Sequence, residues 1–161
     1  LTVEQAYTRY VLRVDPSLSQ ENLQQPLDDA SIELGAVYRS DTVRADAEPE
    51  AQLDDPRAHS WAAGTRAPHL PLPNGRSTVD VAGHGFAVLV DGAGEDWRKV
   101  ADEAERELTV PVVVQEVQDE ALQGAALVRP DGVIAWRSNE AAAAASDLTG
   151  VLRGLLHRST S

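Results

Sequence analysis

Arg66 and His69 stand three residues apart in Gly64-Thr65-Arg66-Ala67-Pro68-His69, with a second proline close behind at Pro71. The planar fork of a guanidinium suits a carboxylate or a ring of carbonyls. The two prolines, each with its φ fixed, stiffen the segment that carries it. One reading is a rigid arm laid over a domain surface. A sharper one is an arm whose Arg66 and His69 bridge to a neighbouring domain. A second group of charged and aromatic residues lies in Leu127-Val128-Arg129-Pro130-Asp131-Gly132-Val133-Ile134-Ala135-Trp136-Arg137. There Trp136 is either core, the commoner fate of a tryptophan on a half-buried hairpin, or a binding aromatic beside a cleft shared with Arg66. The candidate interface residues are therefore Arg66, Pro68, His69, Arg129, Asp131, Trp136 and Arg137.

Other familiar chemistries lack their residues. The chain has no cysteine, which removes disulfides, thiolate nucleophiles and thiolate metal sites together. His59, His69, His84 and His157 show no metal-ligand spacing, so no metal site is expected. Gly83-His84-Gly85 and Gly92-Ala93-Gly94 match neither GxGxxG nor GxxxxGK(S/T), and they read as turn punctuation. Asp91, Glu95 and Asp96 would also repel a phosphate from the helix that follows. The acidic pairs Asp28-Asp29, Asp54-Asp55 and Asp102-Glu103 fall in polar loops or on a helix's outer face, away from the burial that tunes carboxylates for acid–base work. Ser77 and Ser138 have no nucleophile-elbow surroundings. No catalytic and no cofactor-binding residue is expected.

Composition sets the frame for these residues. The 161 residues fit one domain with an extension, and 42% apolar with 25% charged is ordinary for a folded soluble protein. Aromatics are 4%, so the core must rest on Val, Leu and Ala. The net charge of −12 argues against nucleic acid and against an anionic membrane surface as partners. No apolar run approaches the roughly 20 residues of a membrane span, and the start shows no signal-peptide pattern. The expectation is a cytoplasmic protein. The chain begins with Leu1 rather than Met, which reads as a processed or internal start.

The elements that must position these residues follow from periodicity. Residues 2–14 predict a helix, with Val3, Tyr7, Tyr10, Val11 and Val14 on one face. Thr2 and Gln5 match a capping box, and Asp15-Pro16 ends the helix. Ile32 to Tyr38 alternates loosely and suggests a strand. Residues 41–60, acidic with two prolines, read as a solvated linker. Ser77 to Val81 suggests a short strand, and Phe86-Ala87-Val88-Leu89-Val90 a strand buried on both faces. Residues 95–108 predict a helix with Trp97, Val100, Ala101, Ala104 and Leu108 inward. Val110 to Val117 predicts a strand, with Pro111 at its beginning. Residues 125–129 and 133–137 predict a hairpin around Pro130-Asp131-Gly132. A last helix runs from about Glu140 to His157, striped by Leu148, Val151, Leu152, Leu155 and Leu156. The fold class is α/β: a thioredoxin-like βαβ unit plus a β-hairpin and a C-terminal helix, behind an N-terminal helical and loop extension. The divisions expected are 1–60 as extension, 61–76 as connecting arm and 77–161 as the thioredoxin-like domain.

The arm motif 64–69 and the hairpin motif 127–137, in this order and with a βαβ-like segment between them, resemble the C-terminal region of FAD-dependent aromatic-ring hydroxylases. These are class A, phenol hydroxylase-like flavoprotein monooxygenases, and the resemblance is nearest to the actinobacterial enzymes of polyketide biosynthesis. It spans nearly the whole chain, and the hairpin motif is its most specific part. The resemblance implies a segment like 1–40 that closes the FAD and substrate domains, then an arm leading into a redox-inactive thioredoxin-like domain. Family chemistry uses NAD(P)H to reduce FAD, then dioxygen to hydroxylate an electron-rich ring. Its dinucleotide motifs are absent from this chain, so no cofactor is expected within it and the isolated chain is expected to be inactive. The implied role is structural, with the flavin-binding and substrate domains as partners and a homodimer allowed. The alternative is a stand-alone thioredoxin-like module that binds a protein or a small ligand.

Overall fold

The computed structural model describes residues 2–15, 17, 29–43, 55–58, 60–139 and 148–157. Four helices, α1 (Val3–Val14), α2 (Asp29–Leu34), α3 (Gly94–Leu108) and α4 (Leu148–Leu155), accompany four strands. These are β1 (Phe86–Val90), β2 (Val112–Glu116), β3 (Ala125–Val128) and β4 (Ile134–Ser138). The sheet order is β2-β1-β3-β4. β1 and β2 are parallel and joined through α3, whereas β3 is antiparallel to both β1 and β4. A βαβ unit extended by an antiparallel hairpin and a closing helix is the thioredoxin-like arrangement expected from the element order.

Two apolar layers sandwich the sheet. On one face Val88, Val90, Ala125, Leu127, Ala135 and Trp136 meet the buried stripe of α3 (Trp97, Ala101, Ala104, Leu108) and of α4 (Leu148, Val151, Leu152, Leu155). Trp97 and Trp136 contact edge to face, centroids 6.3 Å apart. On the other face Ala87, Leu89, Ala126, Val128 and Ile134 are covered by Trp61, Leu72, Ala82, Val117 and Leu122. β1 is buried at every residue, as its unbroken apolar run predicts. Ala135 and Trp136 both lie on the helix side although consecutive strand residues normally face apart. The register shift between Leu127 and Val128 allows it: Trp136 pairs Leu127 and Ile134 pairs Val128, which leaves Ala135 as the extra residue of a bulge.

Two expected strands are something else. Residues 29–34 form α2, its last turn closed by the Gly35 N–H on the Ser31 carbonyl, and only the stretch after it is extended. The loose alternation buries nothing there, since Ile32 and Leu34 are exposed, so no packing favoured a strand. Residues 78–80 form a 3-10 turn. The Asp80 carboxylate accepts from the Ser77 N–H (2.7 Å) and hydroxyl (2.9 Å). Such side-chain bonds offer the backbone an alternative to a ladder. The final helix is described from Leu148; the expected turns over 140–147 lie outside the described residues.

The Asp80 turn carries a pH dependence. The two bonds from Ser77 hold the Asp80 carboxyl below its ordinary range, with Arg76 and His69 adding smaller attractions. A depressed folded pKa means that the stabilisation is fully present above the ordinary aspartate value and is lost as pH falls through the lowered one. The expected result is a carboxyl titration for Asp80, followed by NMR, with its midpoint below that of an unstructured aspartate. In Ser77→Ala, which removes the hydroxyl donor, that midpoint moves back up.

Candidate functional site

The β1–α3 turn is where a thioredoxin-like domain would carry its reactive pair. Here Ala93 caps α3 in a left-handed conformation (φ 50°) and makes no side-chain cap bond. Gly94 is buried because the Glu116 side chain lies where its Cβ would go. Arg98 pairs that carboxylate at 3.1 Å, while Glu95 and Asp96 occupy the first turn. The start of α3 is thus surrounded by the chain's own acids, which disfavours an anion at this helix N-terminus. No helix among the described residues is long and apolar enough to cross a membrane. Among the same residues no cluster of three or more His, Asp or Glu could hold a metal.

The arm is more deeply built in than a surface strap. Trp61 and Leu72 belong to the second core layer, and the Trp61 indole N–H reaches Asp119 at 3.1 Å. Between them the arm extends the edge of the sheet beside β4. The Gly64 N–H donates to the Ile134 carbonyl, the Ile134 N–H to the Thr65 carbonyl and the Ala67 N–H to the Gly132 carbonyl, each within 2.8–2.9 Å. Pro68 is buried, and its carbonyl accepts from the buried Thr78 hydroxyl, which in turn accepts the Leu70 N–H at 2.9 Å. On the outer side the Tyr38 N–H donates to the Gly64 carbonyl at 2.8 Å, tying the segment after α2 to the arm. Arg66 and His69 both remain exposed.

Around the arm lies a cleft of about 270 Å³, walled by the end of α2 (Leu34–Ala36), the turn 55–58, the arm 65–69 and Val79. Arg66 and His69 both line it. The hairpin residues stand elsewhere. Arg129 clamps the Asp131 carboxylate across the turn and donates to the Thr42 hydroxyl at 2.7 Å, so the pair holds the extension to the hairpin. The Arg66 Nη1 reaches the Asp131 carbonyl at 3.3 Å. Arg137 donates to the Leu122 carbonyl and to Asn139. Trp136 is buried beneath α3 and α4 and does not line the cleft, so among the described residues the alternative pairing of Trp136 with Arg66 is not brought together. The contact of Arg129 with Thr42 spans 87 residues and left no mark in the sequence. Thr78, a buried hydroxyl with two partners, was equally hidden among ordinary threonines.

These features describe a thioredoxin-like domain without thiols, edged by a built-in arm. The family model for the C-terminal region of aromatic-ring hydroxylases matches residues 59–159, and the chain belongs to that family. It is 36% identical over 182 residues to a 4-methyl-5-nitrocatechol 5-monooxygenase of Burkholderia sp, a match covering 98% of this chain and 33% of that protein. It is also 36% identical over 176 residues to aklavinone 12-hydroxylase RdmE of Streptomyces purpurascens, again covering 98% and 33%. Among solved structures, aklavinone-11 hydroxylase in ternary complex with FAD and aklavinone superposes with a TM-score of 0.76 at 34% identity, over 97% of this chain and 32% of that one. The chain thus spans about a third of the length of the curated relatives it matches.

Proposed function

We propose that this chain is the structural, redox-inactive C-terminal part of an FAD-dependent aromatic hydroxylase of the polyketide type, and that the extension docks it on the flavin and substrate domains. One observation carries this reading. Among the described residues the exposed large apolar side chains are Tyr7, Tyr10, Val14, Ile32, Leu34, Tyr38, Val79 and Val113, and all but the last two lie in residues 7–38. Tyr10 and Val14 are 67% and 64% exposed on α1. Clustered exposed apolar side chains on one segment favour an interface, and α1 is too short to be stable without one. The described residues do not suit FAD, because the β1–α3 turn presents acids where a dinucleotide phosphate would need donors. In this reading the flavin, NAD(P)H and the ring to be hydroxylated are all handled by the rest of the enzyme.

The test uses the 161-residue chain with Tyr10→Ser and Val14→Ser together. Unaltered chain is expected to bind an apolar dye and to self-associate in light scattering. The double variant should do neither, with its own stability changed by less than about 0.5 kcal/mol per site, as for ordinary surface substitutions. A wild-type chain that is a clean, dye-silent monomer overturns the docking role. An immunoblot from the native host then reads size: a band far above 17.3 kDa supports the hydroxylase reading, and a band at that mass opposes it.

A further inference from the structure

We propose that the cleft between α2 and the arm is a binding site for a single aromatic ring bearing a carboxylate, with Arg66 clamping the carboxylate and His69 as a second donor. The site is separate from the packing surface of α1, and its test reads the chain alone. The cleft, about 270 Å³, lies just under the roughly 300–1,000 Å³ of drug-sized ligand pockets, so one ring fits and a fused polycycle does not. Its walls mix apolar and polar residues and are partly fixed: Pro56, Pro68, Leu34 and Val79 line it beside Thr65 and Asp55, Pro68 is buried, and Leu34 and Val79 offer exposed apolar surface. Apolar wall residues with a few convergent polar groups are the usual make-up of a small-molecule site.

Two guanidinium groups, Arg57 and Arg66, line the cleft with one carboxylate, Asp55, so the balance favours an acid. Among the described residues Arg66 bonds a backbone carbonyl, that of Asp131. The Asp131 carboxylate itself is taken by Arg129. Among the described residues, then, no carboxylate pairs Arg66, and most of its donor fork is free for a ligand. Arg57 also lines the cleft but is engaged with Asp55 at 3.8 Å. His69 adds a further donor; the nearby Asp80 carboxylate, which attracts it weakly, is already bonded by Ser77. In a chain of net charge −12, this is a local reversal of sign. The backbone on both sides of Arg66 is pinned, by Thr65 to Ile134 and by Ala67 to Gly132. Little ordering of the arm is therefore required when a ligand binds, which favours affinity.

Benzoate is the probe, titrated into the 161-residue chain and followed by amide NMR. Benzamide, which has the ring without the charge, and acetate, which has the charge without the ring, are the controls. The expected result is benzoate-induced shifts at residues 34–36 and 66–69 with a dissociation constant of about 1 mM or below, and at most weak effects from either control. Arg66→Gln should weaken benzoate roughly tenfold or more, as loss of a charge-assisted bond implies. Arg57→Gln should change it little, and unaltered near-ultraviolet signals from Trp97 and Trp136 verify that each variant is folded. Absence of shifts, equal shifts with acetate, or full affinity in Arg66→Gln each overturns the proposal.

Discussion

Trp97→Ala is expected to remove about 3–5 kcal/mol of stability, the usual cost of deleting a buried large aromatic. Trp97 is 2% exposed and stands at the junction of α3, α4 and the sheet. Its edge-to-face contact with Trp136 at 6.3 Å adds about 0.5–1.5 kcal/mol beyond area burial, and the truncation also leaves a cavity that the surrounding Leu and Val side chains cannot close. Native domains hold about 5–15 kcal/mol in all, so the loss takes a large part of the reserve. Urea denaturation followed by far-ultraviolet dichroism checks it, with a fall in the midpoint and an unchanged slope. A loss below about 1 kcal/mol would mean that the helical layer does not depend on this residue.

The second large effect is at Gly64. This buried residue has φ at +95°, and a Cβ there would lie 2.6 Å from the Tyr38 carbonyl oxygen and 3.2 Å from a Val37 methyl. Its N–H and carbonyl hold the sheet edge on one side and Tyr38 on the other. Gly64→Ala therefore meets both backbone strain of about 1–3 kcal/mol and overpacking of about 1–3 kcal/mol. The expected cost is about 2–6 kcal/mol if nothing moves. The cheaper escape is to release the segment 35–38 from the arm. Hydrogen exchange separates the two: the Tyr38 amide should lose its protection while the amides of 86–90 keep theirs. Because Leu34, Gly35 and Ala36 wall the cleft, the same variant should also abolish benzoate binding. Protection of Tyr38 equal to that of the unaltered chain, together with an unaltered urea midpoint, would show that the glycine is not required there.

Some of this molecule was legible in local pattern. The unbroken run 86–90 can be satisfied only by burial on both faces, and it lies at the centre of the sheet. The stripe from Trp97 to Leu108 has helical period and becomes the inner face of α3. Pro130-Asp131-Gly132 makes its turn because Gly132 takes a positive φ of 83°, open to glycine at little cost. The Thr2–Gln5 capping box forms as written, since both partners are within one turn. Family membership was legible for the same reason: the arm and hairpin motifs are short, contiguous and strongly constrained by a turn or a proline.

Tertiary structure decided the rest. Residues 29–34 became a helix and 78–80 a 3-10 turn because no neighbouring strand offered them a ladder, while nearby side-chain and backbone partners did. The bulge that turns both Ala135 and Trp136 toward the helices depends on register with β3, and no property of the two residues announces it. The arm joined the sheet edge through backbone groups of Gly64, Thr65 and Ala67, and backbone donors carry no sequence signature. Arg66 was separated from Trp136 and set instead beside His69 and the end of α2, so the site changed its composition although its leading residue stayed the same. Absence of thiol chemistry needed only the sequence, since a missing atom type cannot be supplied by folding. The cleft needed the fold, because its walls come from four segments spread between residues 34 and 79, and only packing brings such segments together.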